Sequence, residues 1–586
     1  MTPGTVLDLV RRNAAEHGDV VAIVDGERRL TWAEYERQAQ AIALVLLDLG
    51  IQPGDVVGLQ LVNRAEHVLA DVGAMLAGAT PSSYYNTLAA EQLAYVAADS
   101  ACKVGIVDME FLPAWLAIRD ALPELRALLV IGPGPAPAGV LSFEVLTAAA
   151  LASLPDRIDE VQKATIKVRP DDPATIVYTS GTTGPPKGTL VTHAGICTVL
   201  NGILTRVVED LGALPEPGCA QVSYLPLAHL AERMIPHYLG TALVSTVTYV
   251  RDLRALSDEL PFIQPQVFLA VPRVWEKLLR AITERAVTEK SPLRRVLFRR
   301  AIAAARTQGR LQHAIFEQLF YRRVRRALGL NELLVAVSGA APIDPDVLTF
   351  FRGIGVTIVE AYGMTETSAV LTLNSLSEPR IGSVGRPLPD VELRLADDGE
   401  LLARGRIISP GYLNRPDAMT VDGWLHTGDL GRIDADGYLS IVGRKKELII
   451  NAAGKNISAA NVEQALSSAS DLIGSVYVHG DNRPYLVALI TLDPAWQRWC
   501  AARGIAAGTP AEAAAHPGVQ AEIERAVRIG NGRLSRVEQV KRWTLLEALW
   551  GTETGEMTPT LKLKRSVVRD KYAHSLNTLY ASKEPQ

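Results

Sequence analysis

The sequence predicts an α/β protein with a large, multi-subdomain N-terminal α/β domain and a small α+β C-terminal domain. A chain of 586 residues is too long for one hydrophobic core. Helix-like stretches such as 32–49 alternate with short apolar runs such as 56–61 and 104–107, which is typical of α/β layering. The run GRKKE at 443–447 follows a strand-like segment and precedes a new one. We therefore place a domain boundary there.

The alternation continues along the large domain, where four more apolar runs each precede a loop rich in Gly, Ser or Pro. These strand candidates are 174–178, 266–270, 333–337 and 356–359. Loops at strand ends commonly carry functional residues. The Pro/Gly-rich run IGPGPAPAG at 131–139 lacks GxGxxG spacing and a following helix, so we interpret it as a surface connection.

Bulk composition indicates a folded, reduced, non-membrane protein. Hydrophobic residues are 48% and charged residues 21% of the chain, which are ordinary globular values. A net charge of -4 gives no overall attraction to nucleic acid. The four cysteines form no CxxC pair, and no apolar run is long enough to span a membrane. We expect a cytoplasmic protein that binds no nucleic acid.

Residues 280–326 form a basic segment with helical character and two open interpretations. Eight of its arginines stand among leucines and phenylalanines: Arg294, Arg295, Arg299, Arg300, Arg322, Arg323, Arg325 and Arg326. The segment is either a solvated basic helix pair packed on the body or an amphipathic hairpin that docks on anionic lipid. The second interpretation predicts peripheral contact with the inner membrane face.

The most informative segment is YTSGTTGPPKG at 178–188, directly after a strand candidate. Its glycines allow backbone N–H groups to approach phosphate oxygens, its hydroxyls donate hydrogen bonds, and its lysine adds positive charge. The candidate phosphate-binding residues are Thr179, Ser180, Gly181, Thr182, Thr183, Gly184 and Lys187. The lysine does not follow a glycine and does not precede Ser or Thr, so this is not a Walker loop.

This loop resembles the phosphate loop of the adenylate-forming superfamily, which contains acyl-CoA synthetases, luciferases and peptide-synthetase adenylation domains. Further motifs of that superfamily follow in the same order over nearly the whole chain. They are SYLPLAHLAER at 223–233, VSGAAPI at 337–343, EAYGMTET at 360–367, GSVGRPLP at 382–389, GWLHTGDLG at 423–431, GRKKELIINAAGKNI at 443–457 and TPTLKLKR at 558–565.

The resemblance implies ATP, Mg²⁺ and CoA as cofactor and co-substrates, and it assigns nucleotide-binding roles. Tyr362 would stack on adenine, while Asp429 and Arg444 would reach the ribose. Thr183 and Glu366, with Thr365 beside the latter, would hold Mg²⁺ on the ATP phosphates, which suits a hard cation. The other residues implied at the nucleotide are Gly339, Ala340, Ala341, Glu360, Ala361, Gly363 and Met364.

Two further residues resemble catalytic positions of the superfamily. Lys562 aligns with the C-terminal lysine that stabilises charge as the adenylate forms, and Lys564 is the alternative assignment. His229 matches a position that borders the acyl pocket and the thiol route. A lone histidine among leucines is also often a structural core residue, and both interpretations stay open.

The resemblance also implies that the small domain moves relative to the large domain. Residues 1–443 would form the large ATP- and acyl-binding domain, 444–446 the hinge, and 447–586 the small domain carrying the catalytic lysine. Lys446 would be the hinge residue. Gly454, Lys455 and Asn456 would contact CoA after the domain turns. Ala459 and Ala361 depart from the usual proline and glycine, yet neither removes a catalytic group.

VPRVWEKL at 271–278, the basic insert and RPYLVALITLD at 483–493 resemble the long-chain fatty acyl-CoA synthetase branch. The implied reaction forms acyl-AMP from a fatty acid and MgATP and then acyl-CoA, with an apolar tunnel for the acyl chain. Two alternatives remain. One is an acyl-AMP ligase that loads an acyl carrier protein, and the other is a non-catalytic lipid-binding scaffold.

Overall fold

The computed structural model describes residues 4–179, 185–288, 291–307, 315–415, 419–452, 455–551, 553–558 and 562–581. The expected fold class is confirmed: helices and mostly parallel strands alternate through the large domain, and a smaller α+β unit follows. Within the described part of the chain, none of the helices combines the length and the apolar character needed to cross a lipid bilayer.

Several helices of the large domain begin at a side-chain cap. Thr31 and Glu34, for example, form a reciprocal capping box at the start of the second helix. The helices are α1 Val6–Glu16, α2 Trp32–Asp48, α3 Ala65–Leu76, α4 Ala90–Asp99, α5 Leu112–Ile118, α6 Phe143–Thr165, α7 His193–Leu211, α8 Leu230–Glu232, α9 Gly240–Ala242, α10 Leu256–Ile263, α11 Pro272–Thr288, α12 Pro292–Thr307, α13 Arg322–Ala327 and α14 Pro345–Gly353. A π-helical turn, Arg233–Leu239, joins α8 to α9, and another, Glu317–Tyr321, leads into α13.

Two sheets form the centre of the large domain. A five-stranded parallel sheet has the order β4-β3-β5-β6-β7, with β3 Val56–Gln60, β4 Thr80–Ser83, β5 Cys102–Asp108, β6 Ala127–Ile131 and β7 Leu141–Ser142. A nine-stranded sheet has the order β16-β15-β14-β13-β12-β10-β11-β1-β2, with β1 Val21–Asp25, β2 Arg28–Thr31, β10 Ala220–Ser223, β11 Thr246–Tyr249, β12 Val267–Ala270, β13 Val335–Ser338, β14 Ile358–Tyr362, β15 Thr372–Leu373 and β16 Arg386–Pro387. Its centre is parallel and its edges are antiparallel.

One predicted strand differs in its partner. The run at 174–178 belongs to β8 Pro173–Thr179, which pairs in antiparallel fashion with β9 Lys187–Thr192 instead of joining a parallel sheet. The glycine-rich segment therefore connects two paired strands in the sequence. Its two ends are held at hydrogen-bonding distance, because Thr179 and Lys187 are paired in the ladder.

The remaining strands form an antiparallel unit and the small domain. The antiparallel unit contains β17 Glu392–Leu395, β18 Glu400–Arg404, β19 Thr420–Val421, β20 Trp424–Ile433 and β21 Leu439–Arg444. The small domain contains β22 Leu448–Ile450, β23 Asn456–Ser458, β24 Ile473–His479, β25 Leu486–Leu492 and β26 Val540–Leu545, with α15 Ala459–Ser467, α16 Trp496–Ala501, α17 Pro510–Ala515, α18 Pro517–Gly532, α19 Arg565–Lys571 and α20 Ala573–Ala581. The hinge at 444–446 stays a prediction.

Each face of the nine-stranded sheet packs on a separate apolar core. Val267, Val335 and Val337 belong to the core shared with α7, whereas Phe268 and Ala336 belong to the core under α11 and α14. This division follows from the alternation of side chains along a strand. The small domain has two apolar clusters of its own. One includes Val462 and Ile523, and the other includes Leu489.

Candidate active site

A cleft of about 2870 Å³ lies where the C-terminal ends of β13 and β14 face the small domain. Ligands of open α/β sheets bind at such strand ends, because the loops leave the sheet there. Residues of both the large domain and the small domain line this cleft. The sequence-predicted residues on its walls are Thr179, His229, Gly339, Ala340, Ala341, Glu360, Ala361, Tyr362, Gly363, Met364, Thr365, Glu366, Asp429, Arg444, Lys446 and Lys562.

Thr179, at the start of the predicted phosphate loop, lines the cleft. Ser180, Gly181, Thr182, Thr183 and Gly184 lie outside the described residues. On the paired strand β9, the ammonium of Lys187 lies 4.9 Å from the ring centre of Tyr412, a distance suited to a cation–π contact.

Tyr412 links this strand to the predicted metal-binding glutamate. Its hydroxyl donates a 2.8 Å hydrogen bond to Oε1 of Glu366, and the backbone N–H of Ser409 donates to the carbonyl of Glu366. Sequence reasoning missed Tyr412 because it stands in no recognised motif. An isolated bridge between Thr189 and Tyr412 brings it beside β9, and only tertiary structure shows this.

The predicted adenine-binding segments meet side by side. Ser338, the last residue of β13, is paired in register with Glu360 of β14, which brings the segments 339–341 and 360–364 close together. Ala340 has a φ of +69°, a left-handed conformation that is uncommon for a residue with a side chain. A Cβ at Gly363 would lie 2.1 Å from the carbonyl oxygen of Ala369, so this position requires glycine.

Glu360 is a carboxylate partly buried in the cleft wall. Burial raises its pKa to about 7, although the N–H of Gly382 donates to Oε2 at 3.3 Å. Both protonation states are therefore accessible near neutral pH, and the side chain can accept or donate a hydrogen bond there.

Asp429 is held between two partners. The hydroxyl of Tyr362 donates to Oδ2 at 2.5 Å, and Nε of Arg444 lies 3.1 Å from Oδ1. The β20–β21 register places Asp429 opposite Arg444. Burial raises the pKa of Asp429, while Arg444 and the hydrogen bond from Tyr362 oppose that rise. Both carboxylate oxygens are thereby oriented in the cleft.

Lys562 enters the cleft from the small domain on a narrow turn. Its N–H donates to Oγ1 of Thr558 at 3.0 Å, and the N–H of Thr558 donates back to the carbonyl of Lys562. The tip of this turn, 559–561, lies outside the described residues. Burial and then Arg444 lower the pKa of Lys562, against the opposing effects of Asp429 and Glu366. Lys564 also lines the cleft, so position alone does not separate the two lysines.

His229 begins α8 and is a neutral ring. Nδ1 accepts the N–H of Ala231 at 3.2 Å, and burial together with the charge of Lys562 lowers the pKa of His229 to about 4. The proton of the neutral imidazole is then on Nε2. His229 thus caps a helix and lines the cleft at once, which combines the two interpretations from the sequence.

The donor set around Glu366 fits Mg²⁺ bound mainly through nucleotide phosphates. Glu366 and Thr365 lie on a 3₁₀ turn in the cleft wall. Within the described ranges, no group of three or more His, Cys, Asp or Glu could hold a metal. Mg²⁺ commonly uses one or two carboxylates, water and substrate phosphates, so a single carboxylate is consistent with such an ion.

The predicted CoA-binding residues lie elsewhere in this arrangement. Gly454 is outside the described residues, and Lys455 and Asn456 are exposed and do not line the cleft. The N–H of Lys455 donates to Oδ1 of Asn451 at 2.9 Å. Lys446 does line the cleft, beside the end of β21. The contact of Lys455 and Asn456 with CoA stays a prediction.

An apolar extension of the cleft runs along the sheet face that packs on α7. Its apolar lining residues include Ile203, Val207, Ile235, Leu239, Leu243, Val267, Leu269, Val335 and Val337. These residues are candidate walls of the expected acyl tunnel, which stays a prediction. Its residues were not predictable individually, because they come from α7, the π-helical turn, the end of α9 and the strands β12 and β13.

A buried polar network supports the segment before His229. Oε1 of Glu232 accepts the hydroxyl of Ser223 at 2.8 Å and the N–H of Tyr224 at 2.7 Å, and Nδ2 of Asn63 donates to the carbonyl of Leu225 at 2.7 Å. Burial raises the pKa of Glu232 to about 8. The motif at 223–233 contained Glu232, yet the sequence did not show that it organises the strand end.

Comparison with known families and proteins gives consistent matches over the chain. The sequence profile of the AMP-binding enzymes matches residues 10–413, and that of the AMP-binding enzyme C-terminal domain matches residues 446–584. The long-chain-fatty-acid–CoA ligase FadD15 of Mycobacterium tuberculosis is 36% identical over 566 residues, covering 94% of this chain and 92% of the relative. The long-chain-fatty-acid–CoA ligase heimdall of Drosophila melanogaster is 30% identical, covering 99% and 95%.

Solved structures share the fold. The anthranilate CoA ligase AuaEII in complex with anthranoyl-AMP is 21% identical, with a TM-score of 0.72 and coverage of 98% of both chains. ATP-bound MatB from Rhodopseudomonas palustris is 22% identical, with a TM-score of 0.69 and coverage of 97% of this chain and 99% of that chain. The likeness extends over both domains.

Proposed function

Because this chain belongs to the AMP-binding enzymes, in the long-chain fatty acyl-CoA synthetase branch of the adenylate-forming superfamily, we propose that it is a long-chain fatty acid–CoA ligase. It is an AMP-forming acid–thiol ligase. The observation that carries the proposal is the meeting of Lys562, Asp429 and Glu366 in one cleft that continues into an apolar tunnel. A charged nucleotide site and an apolar chain site adjoin there.

In the first half-reaction, the fatty carboxylate attacks the α-phosphate of ATP, an acyl–phosphate bond forms, and pyrophosphate leaves. Asp429, oriented by Tyr362 and Arg444, would hold the ribose hydroxyls. Lys562 would place its positive charge beside the reacting oxygens. Mg²⁺, held by Glu366 and Thr183, would neutralise phosphate charge when bound with ATP. The chain's own contribution is mainly positioning and charge stabilisation.

In the second half-reaction, the CoA thiolate attacks the acyl carbonyl of acyl-AMP, and AMP leaves. Gly454, Lys455 and Asn456 would contact CoA in this step. Since Lys455 and Asn456 are away from the cleft here, the small domain would turn about Lys446 between the two half-reactions. Loading of an acyl carrier protein in place of CoA remains the alternative for the acceptor.

The test is an assay of the purified protein with MgATP, CoA and acids of increasing chain length, with AMP and acyl-CoA measured by mass. Acyl-CoA from long acids supports the proposal. Acyl-AMP without acyl-CoA, followed by transfer to a carrier protein, favours the carrier-loading alternative. Absence of adenylate from every acid contradicts both and leaves the lipid-binding scaffold.

Peripheral membrane contact is a separate part of the proposal, and it is supported by an exposed apolar face beside arginines. Leu293 is 72% and Leu319 63% exposed, and Val296, Leu297 and Ile315 are also exposed. Arg294, Arg299, Arg300, Arg322, Arg323 and Arg326 are exposed on the same helical insert. An apolar stripe flanked by arginines suits an anionic bilayer surface, and we propose the cytoplasmic face of the inner membrane.

Sedimentation with phosphatidylglycerol vesicles tests this contact, with phosphatidylcholine vesicles as the comparison. We expect binding to the anionic vesicles and loss of binding in the double variant Leu293→Ser, Leu297→Ser. Ile166→Ser is a matched control, because Ile166 is 86% exposed and lies outside the insert. Equal binding by the double variant and the wild type would contradict the proposal.

A further inference from the structure

Three arginines join the large domain to the small domain through polar contacts outside the hinge. Nε of Arg280 lies 2.7 Å from Oδ1 of Asp471, and Nη2 of Arg273 donates to the carbonyl of Gly474 at 2.7 Å. Both arginines belong to α11, and both partners immediately precede or begin β24. The small domain is therefore attached to α11 as well as to β21.

The third arginine, Arg533, belongs to the small domain and contacts the large domain. Nη1 of Arg533, at the end of α18, lies 3.2 Å from Oδ2 of Asp344, and Nη2 lies 3.6 Å from Oδ2 of Asp346. Asp344 is fixed in turn, because its side chain caps α14 by accepting the N–H of Asp346. With the hinge, these contacts define the angle of the small domain, and at that angle Lys562 lines the cleft.

We propose that Arg280 and Asp471 are positioning residues that hold the small domain in the adenylate-forming orientation and separate before the thioester forms. This inference rests on the proposed function. The pair suits a reversible contact, since its side chains are 30% and 52% exposed and exposed ion pairs contribute little free energy. A strong buried pair would hold one orientation too tightly for a catalytic cycle with two orientations.

This pair is the best one to test because neither Arg280 nor Asp471 lines the cleft, whereas Arg273 and Arg533 do. Charge reversal at Arg280 or Asp471 therefore leaves the substrate-contacting surface unchanged. Arg157→Glu is a matched control. Arg157 is 33% exposed and pairs with Asp48 and Glu160 inside the large domain.

The experiment measures each half-reaction separately in Arg280→Glu, Asp471→Arg and the double variant. Pyrophosphate release without CoA reports adenylation, and thioester formation from supplied acyl-AMP and CoA reports the second step. We expect each single variant to slow adenylation by about threefold to tenfold, the effect of losing an exposed pair and adding repulsion. Thioester formation should keep its rate or rise, and the double variant should regain adenylation.

Unchanged adenylation in Arg280→Glu, or an equal loss of both half-reactions without recovery in the double variant, would overturn the inference. Thermal unfolding of every variant separates misfolding from lost positioning, and Arg280→Gln replaces Arg280→Glu if the latter does not fold. A wild-type protein that forms no adenylate contradicts the proposed function instead. The two failures are thus distinguishable.

Discussion

The hydroxyl of Tyr362 lies 2.5 Å from Oδ2 of Asp429, so the aromatic ring proposed to stack on adenine also orients the carboxylate proposed to bind the ribose. Arg444 contacts the other oxygen of the same carboxylate. The two proposed parts of nucleotide recognition therefore depend on each other. A change in the phenol group should affect ribose binding even if the ring itself remains.

Tyr362→Phe tests this dependence. The ring is kept, but Asp429 loses a hydrogen bond that restrains it, so we expect the KM for ATP to rise by about tenfold with little change in kcat. Pyrophosphate release measured against ATP concentration checks this. Tyr321→Phe is the control, because the hydroxyl of Tyr321 donates to the backbone carbonyl of Ala301 and neither residue lines the cleft. An unaltered KM in Tyr362→Phe would mean that Arg444 alone orients the carboxylate.

Lys562→Ala should abolish most adenylation, whereas Lys564→Ala should not. Lys562 interacts electrostatically with Asp429, Glu366 and His229 in the cleft. Loss of a group that stabilises charge in a transition state commonly lowers the rate by about 10² to 10³. Single-turnover pyrophosphate release from both variants decides the assignment. The reverse ranking would make Lys564 the catalytic lysine.

The positive charge of Lys562 should also set the alkaline limit of adenylation. Its pKa is lowered, first by burial and then by Arg444, so the ammonium loses its proton at a lower pH than an ordinary lysine. Adenylation should therefore decline with rising pH earlier than a lysine of ordinary pKa would allow. In Lys562→Arg, the guanidinium should stay protonated to higher pH, so the residual adenylation activity should also persist to higher pH. Rate–pH profiles of both proteins provide the comparison, and superimposable alkaline limbs would exclude Lys562 as their cause.

The sequence was most informative where chemistry depends on neighbours along the chain. Tyr362, Asp429 and Lys562 each belong to a short motif, at the end of β14, within β20 and just before α19, and the fold brings all three residues to one cleft. The α/β class was equally predictable, because strand and helix periodicities are local. Although β8 pairs with β9 in antiparallel fashion, Thr179 at its end still lines the cleft.

Features that depend on tertiary register were not predictable. Tyr412 contacts Glu366 only because a β-bridge places it beside β9. Glu232 accepts a hydrogen bond from Tyr224, just after β10, only because α8 lies beside that strand end. The contacts of Arg280 depend on how two domains meet. Tyr412 and Arg280 stand in no recognised motif, and the motif that contains Glu232 does not show which groups Glu232 contacts.

Asp71→Asn should destabilise the large domain strongly. Asp71 and Arg233 form a buried ion pair, each side chain being 1% exposed, and His237 also contacts the carboxylate. Burial alone would raise the pKa of Asp71, but Arg233 and His237 reverse the effect, so the net pKa is lowered. Removal of the carboxylate would leave Arg233 charged and unpaired in the interior, at a cost of about 3 to 5 kcal/mol.

Chemical unfolding at pH 7 measures this loss, with Asp252→Asn as an exposed control whose partner Arg254 is 92% exposed. The sign of the pH dependence follows from the lowered pKa. The contribution of Asp71 is present above its unfolded pKa and is lost as the pH falls through its folded value. The variant should therefore lose less stability than the wild type on acidification. Equal stability of Asp71→Asn and the wild type at pH 7 would contradict this account.

The proposed tunnel predicts how chain-length preference can be changed, because two of its lining residues lie at different positions along β13. Val337 precedes the cleft segment that begins at Ser338, whereas Val335 is two residues earlier on β13 and on the same sheet face. Two residues of a strand advance about 7 Å, so Val335 lies that much deeper from the reacting carboxylate.

Val335→Phe should therefore lower kcat/KM for long acids and leave short acids nearly unchanged, because the added ring fills only the deeper part of the tunnel. Val337→Phe is the matched variant, and it should impair acids of every length since it narrows the tunnel near the cleft. Competition between a short and a long acid, with both acyl-CoA products measured by mass, gives the ratio of the kcat/KM values for the two acids directly. The same loss for all acids in Val335→Phe would show that the acyl chain does not extend along β13, and that another wall of the cleft receives it.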